Sequence, residues 1–139
     1  MGAFRMPFTP AGFAILFASL LTGTSPCPSR SDSEAREALA LTYQAFDQQL
    51  GGGWRKLAEM GDFLAAAKLI DRYEKEKYGL AQWQRVTLRF HAGQLYAFAG
   101  KKKLALARLE AAIFAKEPAD WPIKWNAYVH ATIAFLERD

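Results

Sequence analysis

Apolar side chains recur along this chain at helical spacing. Phe63, Ala66, Ala67, Ile70 and Tyr73 fall on one face of a helix, and Ala105, Leu109, Ala112 and Ile113 do the same. No stretch alternates polar and apolar residues at period two over more than a few positions, and no Asn-Gly or Asp-Gly dipeptide signals a hairpin. The pattern predicts an all-α protein built from antiparallel helix pairs. Helices are expected over residues 32–50, 54–60, 63–77, 80–99, 102–116 and 121–138. Ser31 and Glu34 have capping-box spacing before the first of these. Gly51, Gly52 and Gly53 end it, since three glycines inside a helix cost about 3 kcal/mol relative to alanine. Asp62 and Asp120 are placed as N-caps, with Pro122 tolerated in a first turn. Gly79, Gly100 and Pro118 mark the remaining helix ends.

The start of the chain has a different character. Its first ten residues carry one positive side chain, Arg5, and no acid; residues 11–21 read AGFAILFASLL, and residues 22–29 are small, polar and broken by proline. This is the order of a secretory signal. The apolar run is short beside the roughly 20 residues a spanning helix needs. The chain therefore divides into residues 1–29, a signal peptide or N-terminal anchor, and a helical repeat-like domain over 30–139. A periplasmic or secreted location follows as the expectation. Cys27 stands just after the apolar run, where a lipid could be attached, although Pro26 departs from the usual lipobox. As the single cysteine, it allows no intramolecular disulfide and no Cys₂His₂ zinc site.

Displacing the sequence by 39 residues against itself aligns Leu57 with Tyr96 and Phe135, Gly53 with Ala92 and Ala131, and Ala66 with Ala105. Periods of this size belong to stacked helical pairs. In the middle unit, Ala92, Gly93, Tyr96, Gly100, Ala105, Leu109, Ala112 and Pro118 follow in an order that resembles a tetratricopeptide repeat. Arg89 stands where that family has tryptophan, and the period exceeds its usual length of about 34 residues. The resemblance covers residues 54–139 and is concentrated in 86–118. The region from 53 onward is also similar to exported bacterial proteins carrying such repeats, a likeness that implies no particular activity. Resemblance to the tetratricopeptide family implies a stacked array, Gly93 at a close helix crossing, and a concave face that holds an extended peptide or a chain terminus.

Composition supports a folded domain: hydrophobic residues make up 51% and aromatics 14%. Net charge is +4, and +3 without residues 1–29, with one short basic run at Lys101–Lys103, so no nucleic-acid partner is expected. No nucleophile elbow, phosphate-binding loop, EF-hand or dinucleotide fingerprint occurs, so neither an enzyme nor a cofactor is expected.

The expected function is that of a non-catalytic protein- or peptide-interaction module of the bacterial cell envelope. Its concave face would comprise Arg55, Glu59, Thr87, Phe90, His91, Gln94, Asn126 and His130. A second surface is expected on the last helix, where Ile133, Phe135 and Leu136 would dock a protein partner or a second copy in a homodimer. Membrane contact would come only through an uncleaved or lipidated N-terminus. The alternative is a small-ligand or metal-binding protein centred on His91, Gln94 and His130, since the two histidines lie one period apart; no dedicated metal site is expected, because no HExxH motif occurs. Trp83, Trp121, Trp125 and Tyr128 are either aromatic anchors for a peptide or glycan, or packing between helices.

Overall fold

Asp62 accepts a hydrogen bond from the Ala65 N–H at 3.0 Å and so starts a fourteen-residue amphipathic helix. A computed structural model describes residues 30–138. In chain order it contains α1 (Arg30–Ala40), a single π-helical turn (Gln44–Gln48), α2 (Arg55–Glu59), α3 (Phe63–Glu76), α4 (Gln82–Phe98), α5 (Lys102–Glu110) and α6 (Trp125–Glu137). Among the described residues there is no strand, and no helix is long and apolar enough to cross a membrane. The protein is all-α, as its apolar periodicity predicts. The signal, Cys27 and cleavage expectations lie outside the described residues.

The helices pack mainly on their sequence neighbours: α2 on α3, α3 on α4, α4 on α5 and α5 on α6, while α1 lies on α3. The central α4 serves two cores. Leu88, Ala92, Leu95 and Tyr96 join Tyr43, Phe46, Ile70 and Tyr73 in one. Val86 and Phe90 join Leu109, Phe114, Trp125 and Val129 in the other. Phe46 and Tyr73 stack with centroids 3.7 Å apart. Ion pairs tie α3 to its neighbours. The largely buried Glu74 takes Arg89 at 2.7 Å, and Arg89 also donates to the Ala111 carbonyl at 3.0 Å. Asp71 accepts the Tyr96 hydroxyl at 2.7 Å, and burial together with that carboxylate pushes the Tyr96 pKa up to about 12.

Gly93 sits where α4 crosses α5. A Cβ there would lie 2.7 Å from Leu109 Cγ and 3.2 Å from the Ala105 carbonyl oxygen. Gly93→Leu is therefore expected to overpack the crossing and lower stability by about 1–3 kcal/mol. Thermal melting of that variant checks this; an unchanged midpoint would place the crossing elsewhere.

Three helical expectations need correction, each for a tertiary reason. The continuous helix over 32–50 breaks at Leu41, because its carbonyl accepts the Tyr73 hydroxyl at 2.9 Å and the Lys77 ammonium at 2.8 Å. The chain resumes as a π-turn, closed by Gln49 N–H donating to the Gln44 carbonyl at 3.1 Å. Ser31 consequently lies within α1 rather than capping it. The helix over 102–116 stops at Glu110, where Arg89 takes the Ala111 carbonyl, Trp125 Nε1 takes that of Ala112, and Asn126 grips both backbone groups of Phe114. The last helix starts at Trp125, so neither Asp120 nor Pro122 belongs to its first turn.

Candidate functional site

Asp47 is a fully buried carboxylate in the π-turn, and four side chains converge on it. His91 Nδ1 lies 2.7 Å and Trp54 Nε1 2.9 Å from Oδ1. The Tyr43 hydroxyl donates to Oδ2 at 3.1 Å, and Gln48 Nε2 donates to the same oxygen. The Asp47 carbonyl accepts Arg55 Nε at 2.8 Å, and the Arg55 guanidinium lies 4.4 Å over the Trp54 ring. One residue thus holds side chains from the π-turn, α2 and α4 in a fixed relation.

Glycine makes this approach possible. Gly53 has φ +49°, and a Cβ on it would stand 2.2 Å from the Phe46 carbonyl oxygen. Only a residue without a Cβ lets the chain fold back there and bring Trp54 onto Asp47.

Electrostatics follow from the geometry. Burial acts to raise the Asp47 pKa, but hydrogen bonds from His91, Trp54 and Gln48, together with the His91 charge, outweigh it and hold the carboxyl below its ordinary value. Burial, followed by the Asp47 charge and hydrogen bond, pushes the Tyr43 hydroxyl far above its ordinary range. Tyr43 is therefore a committed donor. With Nδ1–H donating to Asp47, the neutral His91 ring presents Nε2 as an acceptor, and the protonated ring presents it as a donor.

The His91 ring lies 5.3 Å from that of Trp54 and 6.4 Å from that of Phe90, at one side of a larger aromatic cluster. Phe90 packs against Tyr128 and Trp125, each at 5.2 Å, while Trp83 meets Tyr43 at 5.2 Å and Trp121 at 6.3 Å. Trp83 and Tyr128 keep 42% and 49% of their surfaces exposed, so this edge of the cluster is open to solvent.

The structure brings some of the expected concave-face residues together. Arg55 and His91 meet at the Asp47 hub. Thr87 is one helical turn before His91 and donates its hydroxyl to the Trp83 carbonyl at 2.8 Å. Gln94 is half-buried on α4, and Glu59 is exposed at the end of α2. Others do not join the Asp47 hub. Phe90 is buried in the second core rather than lining an open face, because Trp125 and Val129 pack around it. Asn126 is spent on the Phe114 backbone. His130 is exposed on α6, whereas His91 is paired with Asp47. Among the described residues no group of three His, Cys, Asp or Glu side chains is placed to hold a metal ion. On the last helix, Ile133 and Leu136 pack into the cores, and of the three expected docking residues only Phe135 stands out, 70% exposed.

Sequence reasoning missed Asp47, Tyr43, Trp54 and Gln48. Asp47 lies 44 residues from His91 and belongs to no spaced motif. The one local signal was the glycine triplet beside Trp54, which reads first as a helix stop.

No protein-family model, curated protein or solved structure matches this chain.

Proposed function

We propose that this chain is a non-catalytic protein- or peptide-binding module of the bacterial cell envelope, and that it grips its partner on the face around His91. The observation that carries the reading is the His91 ring, fixed by buried Asp47 and packed on Trp54 and Phe90, within an aromatic cluster that leaves the rings of Trp83 and Tyr128 half-exposed. A fixed polar group beside an aromatic surface suits recognition, because little side-chain entropy is lost on binding. A peptide backbone would meet His91 Nε2, and its apolar side chains would rest on the two rings. The contacts of Trp54 with His91 and of Phe90 with Trp125 support a tetratricopeptide-like arrangement. The envelope location rests on the signal-like order of residues 1–29.

Site-specific photo-crosslinking tests both parts. The chain, with its own N-terminal segment, is produced in bacteria carrying a crosslinker at position 83 or 128, with position 78 as a control, since Tyr78 is almost fully exposed in the turn before α4. Discrete adducts at 83 and 128, recovered in the envelope fraction and absent at 78, are the expected result. Adducts that are equal at all three positions, or confined to the cytoplasm, would overturn the reading.

A further inference from the structure

A second surface lies on the opposite side of α3 from α4. There α1, α2 and α3 enclose an open groove of about 560 Å³. Its floor is apolar: Ala35, Ala38 and Leu41 come from α1 and the turn after it, Leu57 from α2, and Leu69 from α3. Alanines on α1 keep that wall low, and Leu69 alone among these residues is buried. Three helices thus surround a trough that a fourth would close.

The rim has an ordered charge. Along the α1 edge stand Glu34 and Glu37, and along the α2–α3 edge stand Lys56, Lys68 and Arg72. Asp62 also reaches the rim, but its carboxylate caps α3 through Ala65. Arg72 shares its charge with Glu76 at 2.7 Å. Lys56 and Lys68 therefore define the basic edge and Glu37 the acidic one, with Glu34 a turn before it on α1; all four are exposed.

An apolar trough between one acidic and one basic edge selects its occupant. A fatty chain with a single charged head would be favoured at one edge and repelled at the other. An amphipathic helix with an apolar stripe, lysines or arginines along one flank and glutamates or aspartates along the other, satisfies both edges at once. The eleven-residue α1 is about 16 Å long, enough to lie beside three turns of such a helix. We propose that the α1–α2–α3 groove binds an amphipathic helix of a partner protein, oriented by its two oppositely charged flanks. This surface is separate from the His91 face.

The test uses the full chain and a labelled synthetic helix with leucines at i, i+3, i+4 and i+7, lysines on one flank and glutamates on the other, followed by fluorescence anisotropy. Reversing the acidic edge (Glu34→Lys with Glu37→Lys) should weaken binding about tenfold, and reversing the basic edge (Lys56→Glu with Lys68→Glu) should do the same. All four reversals together should restore the parental affinity, because the peptide can enter in the opposite direction and exchange its flanks. These positions are exposed, so the variants keep the fold, which circular dichroism verifies. No binding by the parent, equal binding by all variants, or failure of the fourfold variant to recover would each overturn the proposal. So would a long-chain fatty acid that binds parent and variants alike and displaces the peptide, since the groove would then be a general apolar cleft.

Discussion

Asp47→Ala strongly destabilises the folded protein. Removing that carboxylate strands His91, the Trp54 indole N–H and the Tyr43 hydroxyl in a buried position with no acceptor. Breaking a buried hydrogen-bonded pair by deleting one partner costs about 3–5 kcal/mol. That is a large part of the roughly 5–15 kcal/mol that holds a domain together. Asp47→Asn retains the shape and loses the charge, so it isolates the electrostatic part. The folded carboxyl titrates below its ordinary value of 3.8. Its contribution is therefore complete above the unfolded pKa and is lost as pH falls through the folded one. Urea unfolding of parent and Asp47→Asn should differ most near neutrality and converge below about pH 3.8. A gap that widens in acid would contradict the assigned direction.

Gly53→Ala should be nearly as damaging, although it adds only a methyl group. The new Cβ would sit 2.2 Å from the Phe46 carbonyl oxygen and 2.8 Å from its carbonyl carbon, and backbone atoms cannot swing aside as a side chain can. The residue would also be held at φ +49°, an unfavourable region for alanine. Together these effects cost about 3 kcal/mol or more. The damage is local first: the π-turn and Trp54 must separate. Gly53→Ala should therefore shift the emission of Trp54 to longer wavelength under conditions where α3 to α5 remain helical by circular dichroism. Loss of helix content without that shift would mean the glycine serves something other than this approach. Gly61→Ala is the control, because it has positive φ and open space around it, and it should cost only about 1 kcal/mol.

Legibility in the sequence followed the range of the interactions involved. Helices α3, α4 and the first part of α5 are written locally, in the Asp62 cap, in the apolar face from Phe63 to Tyr73, and in Gly79 and Gly100, which adopt positive φ after their helices. Gly93 was legible as a small residue at a crossing, because its neighbours repeat a known order of residue sizes. The break at Leu41 was not legible: Tyr73 and Lys77, more than thirty residues on, take the carbonyl that the helix would have used. The irregular stretch after α5 has the same origin, with Arg89, Trp125 and Asn126 drawing its backbone groups away. His91 was visible as a candidate, but its orienting acid was hidden inside a segment that looked like ordinary helix.

The crowding of donors on Asp47 carries a further consequence, for how this protein tolerates change. His91 and Trp54 share one oxygen, and Tyr43 and Gln48 share the other. Each donor limits how closely its neighbour can approach, and together they hold one carboxylate rotamer. Once one is gone, the remaining three can reposition, so a second loss is felt differently from the first. Substitutions at Tyr43, Trp54 and His91 will therefore fail to add, with coupling of about 0.5–3 kcal/mol between pairs. A variant that replaces His91 alone should therefore be less stable than one would expect from its loss in a chain whose acid has already been changed.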